Sequence, residues 1–213
     1  MSALSGSELE DKQIETIGVK DPVLKRGIAV CHMLHPSKSG ALIGTAVDQT
    51  GFAATSAKMI SETSIKLAGG ETVEYLKRFE FNHHSMTQSV IIRHGSETVV
   101  YAKGSPEAIS KLCVESSIPA NFEEKAQNFA RNGIYQLAYG TASFTSSKAI
   151  HDVTREDIEK NLSFAGVINF ENKLRKETPA VIQELSEGSV ESAIVTVSLF
   201  YSIVSSHILI TCF

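Results

Sequence analysis

The run Tyr101-Ala102-Lys103-Gly104-Ser105-Pro106-Glu107-Ala108 delivers a lysine and a glycine from a β-rich segment straight into a helix start. Ser105 can cap, Pro106 at the first helical position loses no needed hydrogen bond, and Glu107 suits the positive end of the helix dipole. Those helix-starting roles account for three residues and leave Lys103-Gly104 over. A cation beside a position with no side chain, set against the free backbone N–H groups of a helix start, favours an anionic or flat ligand. The chain contains neither G-x-x-x-x-G-K-[ST] nor G-x-G-x-x-G, and so has no P-loop or dinucleotide fingerprint. His83-His84 and His94 are the imidazoles that could suggest a metal, but neighbours on a strand face opposite ways, and no Cys or acid spacing completes a ligand set. The runs Glu123-Glu124-Lys125 and Thr154-Arg155-Glu156-Asp157 read as solvated helix faces.

The elements that must position these residues belong to an ordinary globular chain. Its 213 residues are 42% hydrophobic and 21% charged, with a net charge of -4. That balance excludes a disordered chain and gives no basic surface for nucleic acid. Three cysteines, Cys31, Cys113 and Cys212, lie far apart and in no CxxC spacing, which fits a reducing compartment. The polar, acidic first residues lack the pattern of a signal peptide. Residues 193–213 contain no Asp, Glu, Lys or Arg. As a helix they would reach about 30 Å, a bilayer core. Against a span stand the many Ser, Thr and β-branched residues and the lack of a basic anchor.

Hydrophobic periodicity predicts a short helix over "RGIAVCHML", a strand at "ALIG", and a helix after Thr45 as N-cap. An alternating strand follows the Gly69-Gly70 turn. Then "QSVIIRH" and "ETVVYAKG" flank a Gly95-Ser96 break, as two antiparallel strands would. Helices are expected at 105–113 and about 120–132, the second closed by Asn132-Gly133. The strand "IYQLAYGTASF", a helix opened by Thr154, the buried strand "SFAGVINF" and a helix ending at Gly188 complete the pattern.

Taken in order, these segments resemble the nucleotide-binding domain of P-type ATPases, specifically the B branch of the fifth class, which contains lysosomal polyamine and cation transporters. "EKNLSFAGVINFENKLRKETPAVIQEL" is similar to that branch's strand and helix leading into the phosphorylation domain. "KGSPE" with "LC...IPANF" resembles its lysine-glycine motif, and "CHMLHPSKSGALIGTAVDQTGFAAT" its earlier Cys-His segment. The resemblance implies an α+β fold, an antiparallel twisted sheet flanked by helices. It divides the chain into a tail or linker (1–20), a nucleotide-binding domain (21–165), the start of a haloacid dehalogenase-like phosphorylation domain (166–192), and an apolar tail (193–213). It also implies ATP as ligand, with Mg2+ in the parent enzyme. Phe81 would stack on the adenine, Lys103 and Gly104 would line its pocket, and Asp48 would be the acid at the pocket edge.

The chain departs from the branch where Phe81 to Val90 replace F-S-S-x-L-Q-R-M-S-V. Met86, Thr87 and Gln88 stand for Gln, Arg and Met there, Tyr135 for the arginine of G-x-R-V-x-A-L, and Gly44-Thr45-Ala46 for Gly-Asp-Pro. Each lost charged hydrogen bond would weaken ATP binding by about 1–3 kcal/mol. The phosphorylated aspartate of D-K-T-G-T would precede residue 1 and the T-G-D motif would follow Thr196, so the expected product is a truncated, ATP-binding fragment without turnover of its own. The parent would sit in a lysosomal or endosomal membrane with this domain in the cytosol, and the fragment itself would be cytosolic or membrane-associated. The second expectation is a non-catalytic interaction module, free or tethered to a membrane, that has lost nucleotide binding.

Overall fold

The computed structural model describes residues 2–5, 21–170, 177–196 and 209–212, with side chains over 21–170 and 177–192. The elements run β1 (Ser2–Ser5), α1 (Pro22–Val30), β2 (His35–Pro36), β3 (Leu42–Ile43), α2 (Ala46–Thr55), β4 (Lys58–Ser61), β5 (Ser64–Lys66), β6 (Thr72–Asn82), β7 (Thr87–His94) and β8 (Glu97–Gly104). There follow α3 (Pro106–Leu112), α4 (Phe122–Arg131), β9 (Tyr135–Ser143), α5 (Arg155–Ile158), β10 (Ser163–Phe170), α6 (Thr178–Glu187), β11 (Ala193–Thr196) and β12 (Leu209–Cys212). The fold is α+β. Eight strands form one sheet in the order β1-β10-β9-β8-β7-β6-β5-β4, with every neighbouring pair antiparallel. From β4 to β10 each strand lies beside the next in sequence.

Alternation in the central strands sends side chains to two covered faces. Val90 and Ile92 of β7 with Val99 and Tyr101 of β8 join Leu24, Ile28, Leu34 and Phe52 in a core under α1 and α2. Ile91, Val100 and Ala102 join Ile109, Phe122, Ala126, Ile158 and Leu162 in a second core under α3, α4 and α5. Fully burying each such aliphatic side chain contributes about 1.5–3 kcal/mol. Gly27 lets α1 press onto the sheet, since a Cβ there would stand 2.9 Å from the Tyr101 ring. Because Lys103 lies two residues beyond Tyr101, it faces α1 and α2 rather than the helix that follows it.

Several expectations need correction. The first helix begins at Pro22, where Asp21 accepts hydrogen bonds from the amides of Val23 and Leu24, and it ends at Val30, so Cys31 to Leu34 lie outside it. The strand at "ALIG" shrinks to Leu42–Ile43. The helix opened by Thr154 is a single turn, started by a capping box of Thr154 with Asp157. His83 and His84 sit in the turn between β6 and β7 rather than on a strand. Of the apolar tail, Ala193–Thr196 and Leu209–Cys212 form a parallel strand pair, and residues 197–208 lie outside the described residues. Among the described residues no helix is long and apolar enough to cross a membrane.

Candidate functional site

Three of the four predicted site residues come together at one end of the sheet. Gln88 of β7 is the register partner of Lys103 of β8, and Tyr139 of β9 is the next partner in the row. On the other side, pairing passes from Phe79↔Ser89 to Asn82↔Thr87 with a shift in register, so Glu80 and Phe81 bulge opposite Gln88. Neighbouring strands lie about 4.8 Å apart, which sets Phe81 roughly 10 Å from Lys103 with Gln88 between them. Phe81 is 44% exposed and meets the His83 ring edge-on, with centroids 5.1 Å apart. Gly104 ends β8 between Thr87 and Ala138.

Asp48 reaches the same row from α2. Thr45 caps that helix through a 3.2 Å hydrogen bond from the Asp48 amide, which places the carboxylate in the first turn, where the helix dipole favours it. Its Oδ1 pairs with Lys103 Nζ, and its Oδ2 accepts the Met33 amide at 3.4 Å. Lys103 is 6% exposed and Asp48 8%. The lysine thus spends its charge on a buried ion pair rather than on the start of α3, which is capped by Ser105 Oγ accepting the Ala108 amide at 3.2 Å. A free, solvated lysine would present a full charge to a phosphate. A paired one presents a compensated, shaped edge.

Around the pair lie groups that were not among the predicted site residues. The Cys31 thiol donates to the carbonyls of Gln88 and Tyr101, at 3.4 and 3.8 Å. Burial pushes it up to about 12 against the opposing pull of Lys103, so it stays a protonated thiol. Burial also raises the Tyr139 phenol well above its ordinary value, and raises that of Tyr135, with the negative charge of Asp48 adding to both. His32 accepts the Leu34 amide on Nδ1 at 3.1 Å, which puts its proton on Nε2, 3.2 Å from the Tyr75 hydroxyl.

Burial lowers the His32 pKa from 6.5 to about 4, opposed by Asp48. The folded state therefore resists protonation more than the unfolded chain does. This contribution is complete above pH 6.5, drains away as pH falls toward 4, and amounts to about 3 kcal/mol in full. Urea midpoints at pH 7 and pH 4.5 are expected to differ more in the wild type than in His32→Leu. Equal differences would remove His32 as the cause.

The hairpin carrying Phe81 is tied down from the opposite face. Arg155 donates to the carbonyl of Glu80 and to Glu159 Oε1, the latter at 2.8 Å. Glu159 in turn accepts Ser89 Oγ at 2.7 Å and Thr87 Oγ1 at 3.1 Å. The "TRED" run is thus not a solvated face throughout: Arg155 and Asp157 are engaged, Asp157 with Lys148 and with the Thr154 amide. Its engagement was hidden because the partners lie on β6 and β7, about 70 residues earlier. Among the described residues no group of His, Cys, Asp or Glu is placed to hold a metal ion.

Comparison with known proteins falls on the same segment. The family model described as "P-type ATPase, cytoplasmic domain N" matches residues 56–177, more than half of the chain, and spans Phe81, Gln88, Lys103 and Gly104. The chain is 34% identical over 130 residues to the probable cation-transporting ATPase 13A4 of Gallus gallus, covering 61% of this chain and 11% of that protein. A vacuolar cation-transporting ATPase of Saccharomyces cerevisiae is 33% identical over 125 residues, 57% of this chain and 8% of its own. The polyamine-transporting ATPase 13A3 of Mus musculus is 31% identical over 126 residues, 57% of this chain and 10% of its own. The chain therefore spans about a tenth of the length of these curated relatives. With the antiparallel sheet in place and the family match running through its centre, the chain belongs to the P-type ATPase cytoplasmic N-domain family.

Proposed function

We propose that the chain is the ATP-binding part of a larger P-type transporter that moves a cation or polyamine across an internal, lysosomal or endosomal, membrane. The observation that carries this reading is the row of an exposed phenylalanine, Phe81, and a buried lysine, Lys103, across three adjacent strands inside the family match, with Asp48 of α2, ahead of that match, pairing with the lysine. In this reading the adenine stacks on Phe81. Lys103, held by Asp48, and the bare backbone at Gly104 form the edge against which the base lies, and the triphosphate projects away from the sheet. Residues 166–192 belong to the start of the phosphorylation domain in the same proposal, and the parent enzyme supplies the aspartate that receives the phosphoryl group. Magnesium, which the parent would use, has no ligand set of His, Cys, Asp or Glu among the described residues. The cation and polyamine substrates come from the names of the relatives, and their selection would lie in membrane segments of the parent.

The test is a titration of the full chain with ATP carrying a fluorescent group on its ribose. Saturable binding at millimolar concentration or tighter is expected, and Phe81→Ala is expected to weaken it about tenfold, the loss of one base–aromatic stack. Because Phe81 is largely exposed, that variant tests the ligand contact without disturbing the core. Absence of saturable binding to the wild type would leave the chain as a non-catalytic interaction module.

A further inference from the structure

The face of the sheet away from Lys103 carries a groove that the nucleotide reading does not use. It lies between α3, α4 and the loop that joins them, with an open volume of about 550 Å3. A cleft of that size accepts a small ligand or a few side chains of a partner. Its floor is apolar: Phe122 and Ala126 of α4 are buried, and Ile118 of the loop is half-buried against the same core. Phe122 and Ala126 belong to the second core, whereas Lys103 meets α2 on the first, so the sheet separates this groove from the Phe81–Lys103 row. The opening is held by the fold. The Val114 amide donates to the Leu162 carbonyl at 2.7 Å, and Ser117 Oγ accepts the Phe164 amide at 3.0 Å, which pins the loop to the start of β10. Asn121, in left-handed backbone at φ 66°, then turns the chain into α4.

The rim has one sign of charge. Glu107 of α3, Glu115 of the loop and Glu123 of α4 are exposed around the floor, and Lys111 is the one cation in the lining. The three glutamates take part in none of the ion pairs among the described residues. We propose that the groove docks a basic segment of a partner protein, with an apolar side chain seated on Phe122, Ala126 and Ile118 and a Lys or Arg on either side meeting the glutamates. The two features select together. An acidic or neutral segment leaves the carboxylates facing one another, and a purely cationic one leaves the floor wet. A segment that brings both is steered by the rim and anchored by the floor. Because the loop is already tied to β10, docking has little chain left to order, which favours affinity. The proposal stands apart from the ATP reading.

The probe is a fluorescein-labelled peptide with a pair of leucines flanked by arginines, titrated with the full chain and read by anisotropy. Saturable binding at millimolar concentration or tighter is expected, weakening as salt is raised, and about tenfold weaker when the leucines become serines or the arginines become glutamines. Combining Glu107→Gln, Glu115→Gln and Glu123→Gln is expected to weaken binding about tenfold, mostly through the association rate, and Lys111→Gln to tighten it about threefold. Ala120→Trp fills the groove from an exposed position and is expected to abolish binding with the thermal midpoint unchanged. Excess ATP is expected to leave the peptide bound. Absence of saturable binding, indifference to the triple variant or to Ala120→Trp, or displacement by ATP would overturn the proposal, as would equal binding of the serine peptide, which marks an acidic patch alone. Self-association of the chain that Ala120→Trp abolishes would give the groove to a second copy and overturn it as well.

Discussion

Asp48→Ala is expected to lower the stability of the chain by about 3–5 kcal/mol, the cost of leaving a buried charge without its partner. The Lys103 ammonium would remain 55 residues away in sequence from the lost carboxylate, enclosed under α1 and α2 with nothing of opposite charge at its tip. The Met33 amide would lose its acceptor as well. Lys103→Met is expected to cost a similar amount, because it strands the carboxylate. The double variant Asp48→Ala with Lys103→Met is expected to recover most of either loss, since replacing both members of a buried pair by apolar groups is close to neutral. Urea unfolding of the four proteins measures this directly, provided the slope m is unchanged among them. A loss under about 1 kcal/mol in the single variants, as for a pair at the surface, would show that the two charges are not enclosed in solution. The cycle also bears on function. Nucleotide binding weakened in Lys103→Ala mixes a lost ligand edge with a damaged core, and the double variant separates the two: stable, yet without the edge.

Much of the sheet was legible because its signals are local. The β-branched runs of β7 and β8 alternate between two cores, the Gly95-Ser96 break makes a two-residue hairpin with His94 opposite Glu97, and Ser105 caps α3 as its type predicts. Lys103 was legible as an unusual residue for the same reason, standing at the end of a strand that needed no charge. What it contacts was not. Asp48 entered only through the family resemblance, because its approach to Lys103 depends on how α2 docks against the sheet, which no periodicity encodes. The bulge at Glu80–Phe81 escaped as well: Phe79-Glu80-Phe81 alternates as a regular strand would, and only the partner strand reveals that two residues share one place in the ladder. Gln88 looked like a deviation from the family pattern. That its side-chain amide nitrogen is buried without a hydrogen-bond partner follows only from burial and register together. The start of α1 was missed for a more avoidable reason, since Asp21-Pro22 carries both the cap and the first helical position.

Gly104→Ala is the second large effect, and it acts through backbone rather than charge. A Cβ at this position would stand 2.4 Å from the Met86 carbonyl oxygen and 3.3 Å from Thr87 Cγ2. The nearer atom is main chain, so no rotamer change relieves the clash. Gly104 is also paired on both sides, with Thr87 and with Ala138, and cannot step sideways without breaking one ladder. The hairpin turn must yield instead, against the hold of Arg155 on Glu80 and of Glu159 on Thr87 and Ser89. The expected cost is about 3 kcal/mol or somewhat more, at the upper end for overpacking a buried site. Gly69→Ala is the control, because nothing lies within 4 Å of its added methyl group, and it is expected to be neutral or slightly stabilising. The displaced turn carries Phe81 with it, so binding of the ribose-labelled ATP is expected to weaken in Gly104→Ala and not in Gly69→Ala. Equal urea midpoints for the two variants would mean that the Met86 turn moves freely, and then the bare backbone at Gly104 would serve the ligand alone.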